Sequence, residues 1–401
     1  MPMLVKPRGW AMSSLFTGGF RPFFLFGALH AAAMVALWVP WYLGFVALPS
    51  AFPPVAWHSH ELLFGYVPAI VAGFLLTAVP SWTGRRPSSG LPLIALFTLW
   101  LTGRAAIALS SLSSPGVVAA LSLAFPLALL AVIGRDIVAA RNRRNLKVLA
   151  GIGALALAQA LVHYEVWRYD RSTYGDRFAV AAIVMLIAII GGRIVPAFTT
   201  NWLRPREPGP LPAPFGRIDA VAAIVGFFAL LGWAGAPLLP VADPVLAGLL
   251  LVAGVLHLFR QARWYPQRAL AEPLVTVLHA GYAFIPLGFL LAGFAHWTGD
   301  RAAATAAIHA WTVGGIGLMT LGVMTRATRG HTGRPLTASA GTVAIYLLIV
   351  SAALARIVAA LSPETTFATL SLAGAAWIAA YLLFALLYGP MLLLPRKGAP
   401  R

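Results

Sequence analysis

Twelve separate runs of this chain are each long and apolar enough to cross a membrane, and that repetition constrains the fold more than any motif does. A spanning helix needs about 20 mostly apolar residues. Such runs lie at 23–48, 55–82, 91–112, 115–140, 146–167, 178–201, 217–239, 243–265, 271–295, 302–325, 336–361 and 366–394. Of the 401 residues only 10% are charged, whereas an ordinary soluble chain has about 25%. The mean hydropathy is +0.83. Too little polar surface exists to face water, which excludes a soluble enzyme, a disordered chain and a secreted disulfide scaffold. The sequence therefore reads as an all-α integral membrane protein, one domain of twelve helices over 23–395. Residues 1–22, with Lys6, Arg8 and Trp10 but no long apolar core, read as an interfacial lead-in and not as a cleaved signal peptide.

The net charge of +18 would suggest nucleic acid in a soluble protein, but here its placement orients the bundle. With the N-terminus in the cytoplasm, the basic clusters fall in alternate loops. These are Arg85 with Arg86, Arg141 to Lys147, Arg204 to Arg217, Arg260 to Arg268, Arg326 to Arg334, and a cytoplasmic tail at 396–401. Only Arg168, Arg171, Arg177 and Arg301 fall on the opposite side, and Arg104, Arg193 and Arg356 lie within runs. That asymmetry is the positive-inside pattern, and it places both termini in the cytoplasm. The charge is then accounted for by topology and contact with anionic lipid, with no nucleic acid partner. No loop is large enough for a soluble catalytic domain, and no phosphate-binding glycine loop of the Walker type is present.

The second, sixth and tenth runs share a feature. They end in Thr77-Ala-Val-Pro-Ser-Trp-Thr-Gly-Arg, Gly191-Gly-Arg-Ile-Val-Pro-Ala-Phe-Thr-Thr-Asn-Trp and Met319-Thr-Leu-Gly-Val-Met-Thr-Arg, each rich in Thr and each four helices from the next. Three four-helix units would make twelve, and chance among small residues would give the same echo.

Ionisable residues inside spans are costly and mark function by default. With no cysteine, disulfides, iron–sulfur clusters, thiolate metal sites and thiolate-ligated haem are excluded. The nine histidines are then the natural ligands for copper or haem iron. The densest group is Trp57-His58-Ser-His60-Glu61. On a helix His58 and His60 point about 200° apart and cannot share one metal unless the segment unwinds. Glu61 is suited to orient an imidazole through its second nitrogen. His309 lies inside the tenth run before the small-residue stretch Gly314-Gly-Ile-Gly317, which suits close helix packing or a flat macrocycle. His279 in the ninth run reads equally as a ligand or as a core histidine. His331 sits in the Arg329–Arg334 stretch, read as a loop, where histidines usually do nothing. His30, His163, His257 and His296 are scattered singly. Arg193, after two glycines, is placed to hold a haem propionate or to snorkel towards headgroups.

Several of these stretches together resemble the NnrS family, bacterial membrane proteins of the nitric oxide response. The resemblance is carried by Phe20-Arg-Pro-Phe-Phe24, Trp57-His-Ser-His-Glu-Leu-Leu-Phe-Gly65, Ala72 to Gly84, and Gly191-Gly-Arg-Ile-Val-Pro-Ala-Phe-Thr199. It continues through Leu278-His-Ala-Gly-Tyr282, His309 with Thr312 to Gly317, and Met324 to Arg334. The resemblance implies haem b and copper, protection from nitric oxide, and a location in the bacterial cytoplasmic membrane. It singles out His58, His60, His279, His309 and His331 as the metal-binding pool, with Glu61 and Arg193 beside them. A more distant likeness is to the catalytic subunit of haem–copper oxidases and nitric oxide reductases, with three four-helix arcs and haem held by histidines on helices 2 and 10. The analogous pair here is His60 with His309. The copper of that superfamily is held from helices 6 and 7, and the corresponding runs here contain no histidine.

The expectation is a haem- and copper-binding membrane protein that takes nitric oxide as ligand or substrate, with electrons from an unidentified donor. Two rivals remain: a twelve-helix proton-coupled transporter using Glu61, Arg104, Arg193 and the histidines as a relay, and a haem-based nitric oxide sensor without turnover.

Overall fold

The computed structural model describes residues 12–206, 208–238 and 243–396. Lys6, Arg8, Trp10 and the tail from residue 397 onward lie outside these. Among the described residues the protein is all helical, with no strand, and twelve helices are long and apolar enough to span a membrane. They are α1 (Phe20–Tyr42), α2 (Pro54–Thr83), α3 (Leu91–Ala108), α4 (Pro115–Ala139), α5 (Arg143–Tyr169) and α6 (Tyr174–Leu203). The second half comprises α7 (Arg217–Gly235), α8 (Pro244–Ala262), α9 (Pro273–Thr298), α10 (Arg301–His331), α11 (Ala340–Leu361) and α12 (Pro363–Leu393). The protein is therefore a multi-pass membrane protein.

Local chemistry sets the helix ends. Proline opens α2, α4, α8, α9 and α12, where its missing N–H costs no hydrogen bond. Gly84 and Gly299 close α2 and α9 in the left-handed region, at φ +69° and +75°. That conformation is cheap only without a Cβ. Asp300 caps α10 by accepting from the amides of Ala302 and Ala303. Several boundaries differ from the sequence expectation. Helix α1 begins at Phe20 and stops at Tyr42, before Gly44 turns the chain at φ +82°. Helix α11 begins at Ala340, four residues later than the apolar run. Helix α10 continues to His331, so this residue ends a helix and is not in a loop.

Consecutive helices pack against each other around most of the bundle, and α12 closes the circuit against α1. Helices α2, α6 and α10, four apart in sequence, all touch one another. Between them and α5 lies an apolar cavity of about 100 Å³, lined by residues such as Ile70, Phe74, Ile152, Ile187 and Met319. Helices α2, α9 and α10 are the most buried of the twelve. Both α2 and α10 change winding within the membrane. A π-helical segment runs over Glu61–Tyr66 in α2 and over Ala310–Ile316 in α10. Each begins at the residue directly after a histidine, His60 and His309. Segments wound this way inside α-helices are frequent at functional sites.

Candidate functional site: two imidazole clusters

The opposed directions of His58 and His60 on α2 lead them into different clusters. His60 is completely buried. Its Nδ1 faces Glu61 Oε1 at 3.2 Å, and the carboxylate accepts, so Nδ1 carries the hydrogen and Nε2 keeps a bare lone pair. That Nε2 is buried without a hydrogen-bond partner, and so is Nε2 of His163 on α5. The two rings lie 5.1 Å apart between centroids, at 76° to each other. The Phe52 ring meets both edge-on.

Glu61 is the electrostatic centre of this cluster. Its Oε1 accepts from Arg104 Nη1 of α3 at 2.6 Å, and its Oε2 lies 3.1 Å from His30 Nε2 of α1. The π winding exposes carbonyls that regular α-helical bonds would use, and neighbouring helices supply donors. His30 Nε2 approaches Glu61 O at 3.3 Å, and Trp100 Nε1 donates to Gly65 O at 2.9 Å. Gly65 is required here, because a Cβ would press on His30 Nε2 and on Arg104 Nη1.

His58 and His309 form the second cluster. They line one narrow cleft between α1, α2, α10, α11 and α12, with Val313, Trp377, Gly374 and Arg356. The cleft holds about 40 Å³, room for a water or a diatomic molecule. His309 Nδ1 donates to the Thr305 carbonyl at 2.8 Å, which leaves its Nε2 as the available lone pair. Nδ1 of His58 is buried without a partner, and the Trp38 ring stacks on its imidazole at 3.9 Å.

The structure therefore does not pair His60 with His309, as the oxidase likeness suggested. His309 meets His58, and His60 meets His163. The reason is geometric: the side of α2 that carries His58 faces α1 and α12, while His60 points towards α5. Arg193 joins neither cluster. It lies on α6 near the basic loops, and its Nη1 donates to Asn145 Oδ1 at 3.1 Å. The guanidinium at the His58–His309 cleft belongs to Arg356. His279 lies apart on α9, with Nε2 2.8 Å from Thr199 Oγ1. His331 is exposed, with its ring 5.3 Å from that of Phe20.

Sequence reading passed over His30, His163 and Arg356. Each is the only residue of its type in its helix, and only the fold brings it to α2 or α10. Among the described residues no three His, Asp or Glu side chains converge as a metal-binding group.

Two imidazole pairs, one buried and one half-buried, set within a twelve-helix bundle define a polytopic membrane protein with polar clusters inside its spanning region. No curated protein matches the chain with significant similarity. The chain belongs to the NnrS family, whose model matches residues 14–396. That membership supports a role in the nitric oxide response.

Proposed function

We propose that this protein binds haem and copper in the bacterial cytoplasmic membrane, with its basic loops in the cytoplasm, and protects the cell by binding nitric oxide and reducing it to nitrous oxide. The observation that carries the reading is the pairing of histidines from α2 and α10 in one cleft beside a guanidinium. His58 and His309 suit haem iron by donor type: two imidazoles from facing helices, one with Nδ1 already fixed and the other with an orphaned nitrogen. Arg356 suits a propionate. The cleft as it stands, about 40 Å³, is too small for a macrocycle. His60 and His163 suit copper, because imidazole is a good ligand for it and Glu61 fixes the His60 tautomer.

When bound, haem would supply an iron centre that takes nitric oxide. The chain's own residues orient the imidazoles, neutralise charge and exclude water. The central cavity is almost wholly apolar, which suits a small, weakly polar gas. Reduction of two nitric oxide molecules to nitrous oxide and water takes two electrons and two protons, so a separate electron donor is needed.

Optical spectra of the purified protein, oxidised and reduced, with iron and copper assayed on the same sample, test the reading. A Soret band is expected that shifts on adding nitric oxide, and His309→Ala and His58→Ala should each lose it. His60→Ala should lose copper while retaining haem. A colourless protein that cannot be reconstituted with haem would overturn the proposal. A second reading, a proton-coupled transporter, draws on the buried Glu61–Arg104 ion pair. It predicts a metal-free protein and solute flux in liposomes.

A further inference from the structure

We propose that the crevice around Arg193 holds the phosphate of an anionic phospholipid whose acyl chain lies in the adjoining groove between α5, α6 and α7. This goes beyond the proposed function and does not depend on it. The crevice has a volume of about 490 Å³, and four cationic side chains, Arg144, Lys147, Arg193 and Arg260, line it with no Asp or Glu among the described residues. Arg260 is balanced, since Asp219 Oδ1 accepts from its Nε at 2.8 Å. Among the described residues no carboxylate lies within ion-pair distance of the other three. Arg193 has only the neutral Asn145 side chain at its Nη1.

Three uncompensated cations gathered in one concavity repel one another, and an anion relieves that repulsion. The first turn of α5 also opens here, adding the positive end of a helix dipole. Gly192 makes room on α6, since a Cβ there would collide with the Arg260 guanidinium.

The ligand's second half is set by what lies beneath. Lys147, Ile189 and Ala223 also line a groove of about 430 Å³ whose walls are otherwise apolar, with Ala154 from α5, Met185 from α6 and Phe227 from α7. Helix α6 packs against both neighbours and forms the floor. The groove faces the membrane, with Phe227 and Phe228 both about half exposed. A basic crevice continuous with a lipid-facing apolar groove matches a molecule with a charged phosphate head and a hydrocarbon chain. Basic pockets between spanning helices bind such headgroups.

Native mass spectrometry of the purified full-length protein, titrated separately with phosphatidylglycerol and phosphatidylcholine, tests this. Wild type should retain phosphatidylglycerol preferentially. Arg144→Ala with Lys147→Ala should weaken phosphatidylglycerol binding on the order of tenfold and leave phosphatidylcholine unchanged. Ala154→Trp, which fills the groove without changing charge, should also weaken phosphatidylglycerol. Equal retention of the two lipids by wild type overturns the proposal, and that result needs no variant to fold. Displacement of phosphatidylglycerol by millimolar inorganic phosphate, with Ala154→Trp having no effect, also overturns it in favour of a soluble anion site.

Discussion

Helices α2 and α10 carry the same device, a histidine followed directly by a π-helical segment, but they secure it by different means. In α2 the segment is tied by charge and hydrogen bonds. Arg104, His30 and Trp100 reach it from α1 and α3 and satisfy Glu61 and two of its carbonyls. In α10 it is held mainly by packing. The Trp311 ring fits against Gly288 of α9 and donates its Nε1 to Ile285 O at 3.0 Å, while Gly314 lies under Phe284. Support from within the helix comes from Thr320, whose hydroxyl donates to Ile316 O at 2.6 Å. The polar version fixes a tautomer and concentrates charge. The packed version fixes position, and the His309 tautomer is set separately by the Thr305 carbonyl one turn earlier.

The largest effect should come from breaking the charged anchor. Arg104→Ala leaves the Glu61 carboxylate buried with only imidazoles beside it. Removing one partner of a buried pair typically costs about 3–5 kcal/mol, so thermal unfolding in detergent should show a large loss. Arg104→Ala with Glu61→Gln should recover most of it, because no unpaired charge is left. Loss of the same size in the double variant would mean that Arg104 acts by packing, and the contrast with α10 would disappear.

Matched glycine substitutions sharpen the comparison at a smaller scale. Gly65→Ala forces a methyl against His30 and Arg104, which are held by Glu61 and have little freedom to retreat. A cost of about 1–3 kcal/mol follows from overpacking. Gly315→Ala in α10 meets mainly the Cδ1 of Ile285, at 2.9 Å. That atom is the end of a flexible side chain, so the cost should be under about 1 kcal/mol. Equal losses would show that the two segments are equally rigid.

How much of this was legible in the sequence follows from which features are local. The twelve spans were readable because hydrophobic length is a property of contiguous residues, and so was the divergence of His58 from His60, which helical geometry dictates. The second, sixth and tenth helices, whose Thr-rich ends echo one another, touch at the centre, a contact that the echo by itself did not indicate. The partners of the histidines were not legible. His163 and Arg356 lie 103 and 298 positions from His60 and His58, and nothing local in α5 or α11 indicates which face turns inward. The π segments were equally hidden. Glu61–Tyr66 contains no proline and has no composition that distinguishes it from an α-helix, and its winding is stabilised by donors on other helices. Arg193 does line a crevice, as its neighbouring glycines suggested, but the crevice lies apart from both imidazole clusters, and the same glycines also admit Arg260 and Met319.

A moderate effect is expected where α2 and α10 are joined directly. Tyr66, the last residue of the α2 segment, donates its hydroxyl to Thr320 Oγ1 at 2.7 Å and lies 2.6 Å from Tyr381 Oη on α12. Hydrogen bonds between spanning helices average about 0.6 kcal/mol, with a maximum near 1.7. Tyr66→Phe should fall in that range, and its effect should not add to that of Thr320→Val, since the two remove one shared bond. Additive losses would mean that Tyr66 is held chiefly by Tyr381.

The smallest effect is expected at the far end of α10. His331 was in the metal-binding pool by resemblance, yet it is exposed and touches only the Phe20 ring among aromatic groups. No second histidine approaches it, and its helix has regular α winding there. His331→Ala should therefore change stability by no more than about 0.5 kcal/mol and leave the metal content and optical spectrum as in wild type, whereas His309→Ala on the same helix should change both. Iron or copper lost from His331→Ala at unchanged stability would move a ligand site to the basic-loop end of the bundle.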